Sequence, residues 1–312
     1  MEKEKKQKIG SGKLNGPEPS IINRSHDEFR KENIIEERDV QVNGIKIHYL
    51  KVGSVSKTLL LVHWGFTGSS EVWRRYIADV PKEYTVIAPD LPGYGKSDSP
   101  KCRYTINYYS EFIGDFLKTL NIDRTSIVAQ SVGGAIALGF AIRQADSVEK
   151  LALINSFGLV KRLNGIRQYL FYAAYGTAIS RPILDSLNKT EWFRKIILKG
   201  LLPKGAKITE DMLKVFENEA SPEKTRTFGL LIRNELRLTG IKTHFVENFE
   251  KVKAHTLIIN GSDDTFSSEE GVREAARRIP NSELVIFEGQ KHGFDDEHGE
   301  KTLRLVMEFL KR

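Results

Sequence analysis

Three residues, spaced far apart along the chain, could together make an activated nucleophile. Ser131 lies in SIVAQSVGGAIAL (126–138), where a short apolar run meets a serine, two glycines and a helix-forming run. A sharp strand-to-helix turn of that kind holds the hydroxyl clear of the backbone at the head of a helix, whose N–H groups favour developing negative charge. The pattern departs from G-x-S-x-G at its first position, where Ala129 adds one methyl, while Gly133 and Gly134 remain. A serine hydroxyl is a poor nucleophile until a base takes its proton, so the chemistry also demands a histidine and a carboxylate. Asp263 and Asp264, in NGSDDTF, and then His292, in GQKHGF, follow in that order. The competing reading makes Ser131 a polar turn residue, and Asp263 a loop carboxylate or the cap of a helix beginning near Ser267. His298 stands at the start of the last helical pattern and reads as a surface residue.

Residues this far apart need a scaffold that brings them to one edge, and the hydropathy pattern supplies it. RDVQVNGIKIHYLKVG alternates apolar and polar on both sides of Asn43-Gly44, the dipeptide of a tight hairpin. Nearly continuous apolar runs follow at 58–64, 84–90, 125–131, 149–156, 255–262 and 282–289, as expected for strands buried on both faces of a parallel sheet. Helical patterns lie between most of them, including 107–121 and a serine-capped stretch at 267–279. The expected fold is therefore α/β: a doubly wound, mostly parallel sheet with N-terminal antiparallel strands at one edge. Roughly 100 residues separate the strand ending near Ser156 from the one beginning near His255, far more than a crossover needs. Amphipathic patterns there, broken at Arg181-Pro182 and Pro203, predict an inserted helical cap over the carboxyl ends of the strands. The expected organisation is a flexible tail over 1–35, a core from 36–156 and 251–312, and a cap over 157–250.

Five motifs now appear in order: HWGFTGSSEVW, DLPGYGKSD, AQSVGG, NGSDDTF and GQKHGF. From about residue 38 onward the chain resembles the α/β-hydrolase fold superfamily, and within it the capped serine hydrolases of esterase or lipase type. The resemblance implies a catalytic triad of Ser131, Asp264 and His292, with G-x-x-D counted from Gly261 selecting Asp264 over Asp263. It also implies an oxyanion hole from the backbone N–H groups of Phe66 and Val132. His63 stands one place early and Trp64 occupies the usual histidine position, so either residue could brace that loop; His63 is given a structural role. Asp90 to Ser97 is read as a turn without chemistry. Serine at the elbow sets the chain apart from the capped dehalogenases and epoxide hydrolases, which resemble it but use aspartate there.

Composition restricts the remaining classes. The chain has 312 residues, 40% hydrophobic and 29% charged, enough for one large core. The net charge of +7 is spread among interleaved acids and bases with no nucleic-acid motif, so no nucleic-acid partner is expected. A single cysteine, Cys102, precludes an internal disulfide and suits a reducing compartment, with the cytoplasm as the default location. The N-terminal stretch lacks an apolar signal core, and no run reaches the ~18 residues needed to span a membrane, leaving only peripheral membrane contact open. Neither metal-ligand spacing nor a G-x-G-x-x-G after an early strand is present, so no metal and no cofactor are expected.

The substrate is expected to be a small or medium apolar carboxylic ester, in one form a monoacylglycerol-like lipid, cleaved through an acyl-serine. Trp64, Phe157, Leu159 and Tyr172 are the candidate pocket residues, within a region rich in aromatic side chains. Two alternatives share the fold: a carbon–carbon bond hydrolase of ring-cleavage products, and a receptor that binds without turnover. The sequence leaves the oligomeric state open.

Overall fold

The computed structural model describes residues 34–312 apart from 66–67, 78, 164–180, 220, 238–239 and 295. The chain enters through a hairpin of β1 (Glu36–Val42) and β2 (Ile45–Val52). Asn43 and Gly44 between them both take positive φ, 51° and 78°, the twist that a two-residue hairpin requires. The remaining strands of the main sheet are β3 (Thr58–Val62), β4 (Thr85–Pro89), β5 (Thr125–Gln130), β6 (Val148–Ile154), β9 (His255–Gly261) and β10 (Ser282–Phe287). They form one eight-stranded sheet in the order β1-β2-β4-β3-β5-β6-β9-β10. Pairing is parallel from β4 to β10, while β1–β2 and β2–β4 are antiparallel.

Both faces of the central strands are buried, which is why these segments read as continuous apolar runs. Leu60, Val62, Ile127, Ala129, Leu151 and Leu153 point into one core cluster, and their neighbours Leu59, Leu61, Val128, Ala152 and Ile154 into another. The first cluster is covered by α2 (Ile106–Thr119), α3 (Val132–Arg143) and α8 (Glu269–Arg278). The second is covered by a short turn, α1 (Arg74–Ile77), and by the last helix, α9 (Asp296–Lys311). Ser268 caps α8 by accepting from the N–H of Gly271, which fixes its start within the serine-rich stretch.

Between β6 and β9 the described chain holds α4 (Arg181–Asn188), α5 (Glu191–Leu201), α6 (Glu210–Glu219) and α7 (Pro222–Glu235), then a two-residue ribbon of β7 (Leu236–Arg237) and β8 (Gly240–Ile241). The α5 helix stops before Pro203, as the sequence pattern requires. Several expected strand ends fall short: the run 149–156 stops as strand at Ile154 and 282–289 at Phe287. The third strand ends at Val62, not at residue 64, because His63 and Trp64 leave the ladder to build the loop described below.

Candidate active site

Every strand that matters here ends at the same edge. Ser131 follows β5, Asp264 follows β9, His292 follows β10, and the His63–Gly65 loop follows β3, so parallel topology alone gathers them at the carboxyl ends.

Ser131 links β5 directly to α3 and takes φ 56°, ψ −123°, a conformation costly for any side chain other than glycine's. Its own backbone holds it there. The N–H donates to Ile154 O at 3.0 Å, and the carbonyl accepts from Gly134 and Phe157, each at 3.0 Å. The two glycines that follow are required by close approach. A Cβ at Gly133 would overlap the carbonyl oxygen of His63, and one at Gly134 would overlap Ser156 Oγ. Ala129, the departure from the usual pattern, sits fully buried within β5 without displacing the turn.

The hydroxyl of Ser131 meets His292 Nε2 at 2.8 Å, and His292 Nδ1 meets Asp264 Oδ2 at 2.9 Å. With Asp264 accepting, Nδ1 carries the proton and Nε2 is left to accept from the serine. Asp264 has no exposed side-chain surface, whereas its neighbour Asp263 lies exposed at the loop tip. The buried carboxyl is fully engaged: Oδ1 accepts from Phe266 N–H at 2.8 Å, and Ser267 Oγ lies 2.9 Å from Oδ2. Ser267 also lies 2.8 Å from Asn260 Oδ1, so one buried hydroxyl joins the acid to the end of β9. Phe266 and Phe157 flank the imidazole, with ring centroids 4.5 and 5.6 Å away.

Asn155 ties the two loops together. At φ 43° and fully buried, it donates through Nδ2 to His292 O at 2.7 Å, and its Oδ1 accepts from Gly261 N–H at 3.0 Å. One amide thus fixes the spacing between the strand leading to the acid and the loop carrying the base. Neither Asn155 nor Ser267 stood out in the sequence. A polar pair in the fully apolar run LALINS was the available signal for Asn155, and a serine three places after the acid was the signal for Ser267.

His63 braces the loop after β3. Its Nδ1 donates to Trp64 O at 2.7 Å, and its Nε2 accepts from Leu91 N–H at 3.1 Å. Trp64 is half-buried against the second core cluster. Asp90 is likewise structural: it accepts from the N–H groups of Ser70 at 2.6 Å and Lys96 at 2.7 Å. Val132, first residue of α3, has an N–H beyond the reach of intrahelical acceptors. The Phe66 assignment falls outside the described residues, as does Tyr172.

Val132 and Phe157 also form part of an apolar pocket with Ile106, Leu163, Leu231, Ile232, Leu236 and Ile241. Glu235 is the acidic member of that lining, and both its oxygens are occupied, by Ile106 N–H at 2.9 Å and Thr243 N–H at 3.1 Å. Leu159 is buried in the main core. The inserted helices reach this region directly: Phe228 of α7 packs where Gly65 and Val132 converge. His298 is half-buried with its ring 5.0 Å from Phe287, more enclosed than a surface residue because α9 lays it against β10. Among the described residues no group of His, Cys, Asp and Glu has the arrangement of a metal site. No described helix is long and apolar enough to cross a membrane.

The family profile of the alpha/beta hydrolase fold matches residues 57–298, so the chain belongs to that family. It is 29% identical over 286 residues to the 2-hydroxy-6-oxo-6-(2'-aminophenyl)hexa-2,4-dienoic acid hydrolase of Metapseudomonas resinovorans, covering 91% of this chain and 93% of that protein. Among solved structures it is similar to a serine hydrolase involved in carbazole degradation, with 26% identity, a TM-score of 0.72, and 89% and 99% of the two chains covered. It is also similar to a membrane phospholipase A described as a bacterial virulence factor, with 25% identity, a TM-score of 0.71, and 89% and 86% covered. Family membership supports hydrolase activity on a small molecule.

Proposed function

We propose that the protein is a serine hydrolase that cleaves small or medium apolar carboxylic esters through an acyl-serine. The observation that carries this reading is the continuous hydrogen-bonded chain from Ser131 Oγ through His292 to the buried Asp264, set on a backbone turn that no structural serine requires. Ser131 Oγ attacks the ester carbonyl carbon while His292 Nε2 takes its proton; the same proton then passes to the leaving alcohol. Water repeats the sequence on the acyl-serine, with His292 as base, and releases the carboxylic acid. Asp264 orients the imidazole and offsets its transient charge. The N–H groups of Val132 and Phe66 hold the oxyanion. The helices between β6 and β9 act as the cap, with Phe157 on the substrate side.

The surroundings of the nucleophile are in keeping with an apolar substrate: Val132 and Phe157 lie among Ile106, Leu163, Leu231, Ile232, Leu236 and Ile241. The similarity to a phospholipase A is in keeping with a lipid-like ester. A second reading, carbon–carbon bond hydrolysis of a ring-cleavage dienoate, is favoured by the 29% identity to the aminophenyl dienoic acid hydrolase along nearly the whole chain. A p-nitrophenyl ester series from acetate to decanoate, run beside a coloured 2-hydroxy-6-oxo dienoate, separates the two. The ester reading expects turnover with an optimum at intermediate chain length and no bleaching of the dienoate; rapid bleaching with negligible ester turnover would reverse the assignment.

A further inference from the structure

The inserted helices carry an outward face that this chemistry leaves unused. Five large apolar side chains are exposed among the described residues, and three of them, Ile183, Trp192 and Ile196, lie on α4 and α5 at 61%, 57% and 54% exposure. Trp192 and Ile196 are four residues apart and share one side of α5, and α4 packs against α5. Along the same stretch of chain Lys189, Lys195, Lys199, Lys204 and Lys207 are all exposed, with Lys195 and Lys199 three residues beyond Trp192 and Ile196 on α5. Lys195 pairs with Glu191; the other four have no carboxylate partner among the described residues. Residues 181–207 contain seven Lys and Arg against two acids, Asp185 and Glu191. Arg194 takes no part in this face: it is buried, donates to the carbonyls of Asn188 and Lys189, and pairs with Glu217.

We propose that this face docks the protein on an anionic lipid surface. Trp192, Ile196 and Ile183 enter the headgroup boundary, where a tryptophan ring and aliphatic side chains are both well solvated. The lysines keep their ammonium groups at the level of the lipid phosphates while their methylene stems cover apolar surface. A second copy of the chain is a poor occupant, because two lysine-rich faces would meet. The location gives docking a purpose. Leu201 O, at the carboxyl end of α5, accepts from Gly293 N–H at 2.9 Å, and Gly293 follows His292 directly. The lipid-facing helix is therefore fastened to the loop that carries the base, and docking sets the site beside a source of amphipathic ester. That consequence rests on the ester reading above; the docking itself does not need the triad.

The test is co-sedimentation of the full chain with phosphatidylcholine vesicles and with vesicles containing one-quarter phosphatidylglycerol, reading tryptophan emission in parallel. The proposal expects binding to the anionic vesicles only, with a blue shift of the emission. Each of Lys189→Ala and Lys199→Ala should weaken binding about fivefold. Trp192→Ser combined with Ile196→Ser should weaken it roughly tenfold or more and abolish the shift. Ser131→Ala should bind as the wild type does while losing hydrolysis, so failure of the catalytic reading and failure of the docking reading are distinguishable. No binding to anionic vesicles at low salt, or binding indifferent to these substitutions, overturns the proposal. Equal binding to polyglutamate with no blue shift also overturns it, and assigns the lysines to an acidic protein partner.

Discussion

The carboxyl edge of the sheet and the helices inserted between β6 and β9 treat their polar and apolar groups in opposite ways. At the sheet edge the polar groups are buried and engaged: Asp264 has three partners, Asn155 bridges two loops, and the ring nitrogens of His63 are both occupied. On α4 and α5 large apolar groups are exposed, and of the lysines along this stretch only Lys195 has a carboxylate partner among the described residues. A buried polar group is costly unless hydrogen-bonded, so the sheet edge can hold one arrangement and tolerates little change. An exposed face carries no such constraint, and its composition is free to follow whatever it meets. On the readings proposed above, the reaction would be set at the sheet edge and the source of substrate by the insertion.

The largest effect separating the two regions is expected at the acid. Asp264→Asn should lower kcat by about 10⁴, as loss of the orienting carboxylate does in a serine protease, whereas Asp263→Asn, one residue away and exposed, should stay within about twofold of wild type. Steady-state kinetics on one ester decides it, and equal losses at both positions would break the assignment of the acid. A smaller effect is expected one bond further out. Ser267→Ala removes a hydroxyl 2.9 Å from Asp264 Oδ2 and should cost roughly tenfold in kcat with KM little changed. Ser267→Thr, which keeps the hydroxyl, should restore kcat; a loss that Thr does not rescue, or one that falls on KM and not on kcat, would make Ser267 merely structural. The smallest effect belongs to the exposed positions of the insertion: Ile183→Ser should leave folding stability within about 0.5 kcal/mol by chemical denaturation, while Phe228→Ala, also in the insertion but buried against the site, should cost about 3 kcal/mol or more. Similar costs at both would erase the contrast.

Much of this architecture was legible in the chain because it depends on local pattern. The apolar runs became strands, buried on both sides except at the edge strand β10, Asn43-Gly44 became the hairpin turn, and Ser268 became a helix cap. The Ser131, Asp264 and His292 loops were legible because each is punctuated by glycine where backbone passes close to backbone, as at Gly133 and Gly261. What escaped was set by long-range approach. Asn155 acts on residues more than 100 positions away, and nothing beside it in sequence announces those partners. Glu235 seals the first turn of α2 from the far side of the insertion, again with no local mark. The β7–β8 ribbon is two residues long on each side, too short for any periodicity to register. The His63–Trp64 ambiguity likewise needed coordinates, since only the contact with Leu91 shows which ring braces the loop.

The most direct measurement is labelling of the purified protein with a fluorophosphonate, followed by mass spectrometry of the modified peptide, for wild type and for His292→Ala. The account predicts a single adduct on Ser131 in the wild type and little or none when the base is removed. An adduct on another residue, or labelling of Ser131 that does not depend on His292, would contradict it.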